Sequence, residues 1–178
     1  LQYRSVHVVD DKYIGVQKSP FPTLFVADLE SEEYTIYDLP ERGMEPTALN
    51  NQAMGQFQGN PVTSRSGAIN IHDGSNGSRT ELEFEEVAAK TLIEVDGTLY
   101  LGIYTGAHFY GYDGETLTHL GKVDGQVRPM DFVHTQAANA IMMGTQPNYG
   151  AATGGAIGVL DLSTHDVTAH KNVVEDQS

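Results

Sequence analysis

The chain of 178 residues contains no cysteine and no tryptophan. Without thiols, disulfides and thiolate metal sites are excluded, and the compartment is left open. Basic residues are scarce: Lys and Arg number 10 against 24 Asp and Glu, for a formal net charge of −14. A field of that sign repels phosphate backbones and anionic lipid, so neither nucleic acid nor a membrane is expected as a partner. The acids gather on turns and strand ends, which predicts a solvated coat of the kind that suits salt adaptation. No apolar run approaches the roughly 18 residues of a spanning helix, and no export-type leader is visible. No segment sustains capped helical periodicity. The G-x-S-x-G elbow of a serine hydrolase, the helical H-x-x-x-H metal pair and the phosphate loop are missing too. The seven histidines are scattered, and no metal or cofactor is expected.

What is present is a repeat. Leu24–Asp28, Ala68–Asp73, His108–Asp113 and Ala156–Asp161 each run as an alternating apolar strand into an aspartate, followed by a polar turn and a second strand. The closing aspartates stand 45, 40 and 48 residues apart. Strand-built repeats of that period are the mark of β-propeller blades. The fold expected is therefore all-β, with about four blades of four antiparallel strands, A to D, at 5–43, 44–86, 87–124 and 125–178. The third is the clearest, with Asp96-Gly97 as a tight hairpin turn between Thr91–Val95 and Thr98–Tyr104, then His108–Tyr112 and Thr116–Leu120. In the second, strands A and B are ill-defined within Thr47–Thr63. The chain opens on an A strand and ends on a D strand. That register predicts part of a larger ring, completed by a missing remainder or by self-association, since lone blades leave edges and faces open.

A four-stranded meander puts its B–C and D–A connections at one end, and long loops on one rim of a rigid scaffold are where binding groups collect. Those connections are Gln17–Pro22, Ser64–Ser66, Thr105–Ala107, Gln146–Gly155, Pro40–Pro46 and Gly121–Pro129. They bring Lys18, Arg65, Tyr104 and Asn148 forward as ligand-binding candidates, because cationic forks and phenols suit carboxylates and sugars. Tyr149, His108 and Arg128 have the types a β-eliminating lyase needs: a base to take the proton α to a uronate carboxylate and a cation to neutralise the developing charge. The competing reading packs Tyr104 and His108 between blades and pairs the arginines with surface carboxylates.

The run Leu99–Asp113, with Gly144–Gly150 and Gly154–Asp161, resembles bacterial and archaeal propellers of the YVTN/WD-repeat-like type, with seven or eight blades. That resemblance implies a setting in polysaccharide processing but carries no catalytic set onto these residues. The first functional reading is a scaffold that recognises a glycan or a protein on the B–C/D–A rim. A uronate polysaccharide lyase and a self-assembling ring module are the alternatives, so enzyme activity is an open question at this stage.

Overall fold

The computed structural model describes residues 3–9, 11–17, 23–38, 41, 53–73, 78–148, 154–171 and 173. The chain divides into two compact units, 1–88 and 89–178.

In the first unit, β1 (Tyr3–Val9), β2 (Lys12–Gln17), β3 (Thr23–Asp28) and β4 (Tyr34–Asp38) form one antiparallel meander. Alternation along β3 splits its side chains between two faces. Leu24 is fully buried on one, while Phe25 lies on the other among the rings of Tyr13 and Tyr34. Next come β5 (Met54–Phe57), β6 (Asn60–His72) and β7 (Arg79–Val95). Gln58 and Gly59, with φ of 49° and 75°, turn β5 into β6.

β6 is unbroken as extended backbone, yet Thr63 Oγ1 and His72 Nε2 are 2.9 Å apart. A straight strand would separate residues nine positions apart by about 30 Å. The strand therefore doubles back at Gly67, whose φ of 73° suits a reversal. Its first limb pairs with β5 and its second with the opening of β7. The ill-defined strands of Thr47–Thr63 thus resolve, within the described residues, into β5 and the first limb of β6. Ser64–Ser66 is extended chain beside this reversal and not a separate loop.

The second unit starts inside β7, which continues with no intervening loop into pairing with β8 (Thr98–Tyr104). Asp96 and Gly97, at φ 49° and 78°, make the expected tight turn. β9 (His108–Tyr112) and β10 (Leu117–Lys122) complete that run, and β11 (Gln126–Thr135), β12 (Ala140–Pro147), β13 (Ala156–Asp161) and β14 (Val167–Lys171) form a further meander. The expected loop Gly121–Pro129 shrinks to Val123–Gly125, because β10 runs to Lys122 and β11 starts at Gln126. Arg128 consequently sits on a strand.

The two sheets of this unit meet through Phe109, Val123, Phe132, Ile141, Met143 and Leu160. Phe109 stacks on Phe132 at 5.6 Å between ring centroids. Gly158 permits that approach, because a Cβ there would collide with Val123 Cγ2 and reach Phe109 Cε2 at 3.3 Å.

The repeated aspartate has a structural purpose. Oδ1 of Asp28 accepts the N–H groups of Glu30 and Ser31 at 3.0 and 2.9 Å. Asp113 takes those of Glu115 and Thr116, both at 2.8 Å, and Asp161 those of Ser163 and Thr164 at 2.7 and 3.0 Å. Each carboxylate locks the turn that follows a C strand by satisfying backbone donors that would otherwise face the bend unpaired. These N–H bonds, from Ser31, Thr116 and Thr164 first, hold all three carboxyls below the usual aspartate range.

Candidate functional site

The best-built surface feature lies in unit 89–178, where the β8–β9 turn meets the β10–β11 connection. Gly106 and Ala107 both donate their backbone N–H to the Val127 carbonyl, at 2.8 and 3.1 Å, and Val123 N–H donates to Ala107 O. Gln126 is buried beneath: its Oε1 lies 3.0 Å from Thr145 Oγ1, and its Nε2 donates to Gly154 O. Thr145 Oγ1 is also 2.8 Å from Ala156 O, so one hydroxyl proton is shared between two acceptors. Turn, connection and strand ends are stitched through backbone and buried amide, which gives the side chains above them a fixed base.

On that base sit Tyr104, at the end of β8, and Arg128, near the start of β11. Lys90 of β7 joins them, with Nζ 4.9 Å from the centre of the Tyr104 ring. Burial first, and then the charge of Arg128, pushes the Lys90 ammonium below the ordinary lysine value. Lys90 and the Tyr104 ring are thus in contact, with Arg128 near enough for its charge to act on the ammonium. Arg128 is exposed, and no carboxylate of the described residues forms a salt bridge with it. Asn148 is exposed one residue beyond β12. The pairing of Arg128 with Gln146 puts it at the same end of the sheet.

The other candidates have different surroundings. Arg65, in the first unit, spends its fork on Glu81, with Nε to Oε2 at 2.9 Å and Nη2 to Oε1 at 2.8 Å. It also meets Glu83 at 3.3 Å and donates to Ser66 O. This bidentate bond is the main cause holding Glu81 below its usual range. His108 lies on β9 with Nδ1 2.9 Å from His119 Nε2, and Tyr110 packs at 4.9 Å from the His119 ring. Its imidazole thus has a neighbour on β10. Lys18 and Tyr149 lie outside the described residues.

Sequence reasoning missed Lys90. It reads as one more strand position after Ala88 and Ala89, and only its pairing in space with Tyr104 and Arg128 singles it out. The signal available was only that lysine is scarce in this chain.

No family model and no curated protein matches the chain. Solved structures do. Dihydro-heme d1 dehydrogenase NirN in complex with DHE is similar over 95% of this chain and 37% of its own, with a TM-score of 0.61 and 13% identity. The β-propeller domain of Cps50 (Swd1) from Myceliophteria thermophila is similar over 93% of this chain and 54% of its own, at 0.59 and 12%. A structure of S. cerevisiae Dbp5 bound to Nup159 and Gle1 with IP6 and ADP matches over 95% and 47%, at 0.57 and 8%. The chain thus spans between about a third and about a half of the length of these structures. Their identities are too low to carry activity across, but shared architecture is independent of that. Antiparallel meanders in series and these likenesses together show an all-β chain whose sheets are similar to those of β-propeller proteins.

Proposed function

We propose that this chain is a binding scaffold whose β8–β9/β10–β11 rim holds an acidic segment of a partner protein. The observation that carries the reading is Lys90 over the Tyr104 ring at 4.9 Å, with the charge of Arg128 acting on the same ammonium. Bringing cations together costs free energy, and a carboxylate bound between them returns it. A guanidinium fork and an ammonium suit a carboxylate pair, and Tyr104 adds a flat surface for packing. The net charge of −14 opposes an acidic partner from afar. Screening over about 10 Å at 0.1 M salt leaves the local pair in control at contact. Asn148 supplies an amide at the same end of the sheet.

A uronate glycan presents the same carboxylate chemistry and is the alternative ligand. The lyase reading gains no support from the described residues: His108 is hydrogen-bonded to His119, and Arg128 faces no defined base. The reading is tested by calorimetric titration of the chain with a hexaglutamate peptide and with an oligogalacturonate. Binding of the peptide that is lost in Arg128→Ala and in Lys90→Met supports the protein reading. Oligogalacturonate binding alone replaces it with the glycan, and binding that survives both substitutions overturns the site. An anion between the two cations should raise the Lys90 pKa again. Affinity should therefore fall as pH rises through the depressed lysine range of the free chain.

A further inference from the structure

We infer that His108 and His119 form an open two-imidazole site for a divalent transition metal, with Cu(II) the ion its geometry fits. The two histidines stand eleven residues apart with no spacing motif between them, yet the β9–β10 hairpin brings Nδ1 of His108 to 2.9 Å from Nε2 of His119. In register His119 is opposite Tyr110, two residues from His108, so all three side chains share one face of the sheet. The pairing slips by one residue between His119 and Gly121, and a bulge of that kind re-aims the side chains beside it.

Both rings are held. Nε2 of His108 packs onto Gly106, where a Cβ would collide with it, and the turn carrying Gly106 is tied to the Val127 carbonyl at 2.8 Å. Tyr110 lies against His119, with 4.9 Å between ring centroids. His119 is exposed, so an ion reaches the pair from solvent. Lys122, opposite His108 in register, carries a charge that opposes a cation, but its Nζ is 3.8 Å from Asp124 Oδ1. The site shares no residue with the rim of Lys90, Tyr104 and Arg128.

The separation of the two nitrogens selects the metal. Imidazole nitrogens bind such ions at about 2.0–2.1 Å, which puts two of them about 2.9 Å apart at a right angle and about 3.3 Å apart at the tetrahedral angle. The observed 2.9 Å is the first value, that of neighbouring positions in the tetragonal geometry of Cu(II) and Ni(II). The general order of affinities then puts Cu(II) first. Among the described residues no third His, Asp or Glu completes a metal-binding group, so water takes the other positions. Each neutral ring has one N–H, and the ring that donates in the free pair carries it on its outer nitrogen once both inner nitrogens face the ion.

Titration of the chain with Cu(II) in a non-coordinating buffer, followed by calorimetry and electron paramagnetic resonance, tests this. One tight equivalent is expected, with a tetragonal spectrum coupled to two imidazole nitrogens. Even the outer partners of metal ligands cost about 10–100-fold when removed, so His119→Ala and His108→Ala should each weaken that equivalent by at least roughly tenfold. His165→Ala, on the turn between β13 and β14, should bind as the parent does. Circular dichroism checks folding, and if His108→Ala unfolds, His119→Ala decides, because it alters an exposed side chain. No tight equivalent, coupling to one nitrogen only, retention in either folded His108 or His119 variant, or loss in His165→Ala overturns the proposal.

Discussion

Phe109 with Phe132 and Phe25 with Tyr34 are stacked pairs with the same 5.6 Å between ring centroids, yet they do different things. The first joins two sheets, with Phe109 fully buried. The second lies along one sheet and leaves Tyr34 66% exposed. Ring geometry alone therefore says little about stabilisation. What counts is the water each ring has lost, since removal of apolar surface from solvent outweighs the contact of ring with ring.

Truncating Phe109 to Ala should cost about 3–5 kcal/mol in urea unfolding, the usual loss for a buried phenylalanine. Phe25→Ala should cost about 1 kcal/mol, in line with partial burial. Equal losses would break the comparison and show that both rings are covered in solution. The inner faces differ as well. Asn70 is fully buried in β6 with neither Nδ2 nor Oδ1 hydrogen-bonded, whereas the buried polar side chains Gln126 and Thr145 of unit 89–178 bond to one another. Asn70→Leu should therefore raise stability by about 1–2 kcal/mol in the same assay, because an unpaired buried amide is costly. A loss instead would show that the amide is bonded.

A smaller effect is expected at the rim. Lys90 is charged in both states at neutral pH, and its folded pKa is depressed, so its charge works against folding there. That penalty lifts as pH climbs through the folded pKa toward the unfolded one. Lys90→Met should raise the melting temperature at pH 7, and the gain should fade in alkaline buffer. The smallest effect belongs to the turn aspartates, whose folded pKa values are lowered. Their contribution is present above the ordinary aspartate range and disappears as pH falls through the folded values. Asp113→Asn and Asp161→Asn should flatten the acid limb of stability against pH by lowering the neutral plateau slightly, with stability at low pH little changed.

Where alternation and turn chemistry agree, the strands were legible before any coordinates. Thr98–Tyr104 and His108–Tyr112 are strands with the ends expected of them. β6 was harder, since Pro61, Ser64 and Arg65 interrupt the pattern and its reversal needs only Gly67. The site was legible in part. Tyr104 and Arg128 are legible as candidates from their side-chain chemistry, but the link to Lys90 joins three strands and leaves no local trace. Arg65 shows the converse: read either as a ligand-binding fork or as one half of a surface ion pair, it is committed to Glu81 on a neighbouring strand, a partner that spacing alone does not identify among 24 acids.

Gly158 has a consequence for how this sheet pair can change over time. Any methyl added there runs into Val123, so the position can drift only in step with a smaller residue at 123. Gly158→Ala should be poorly tolerated alone and rescued by Val123→Ala. Diverged relatives would then show the two positions varying together, one swelling as the other shrinks.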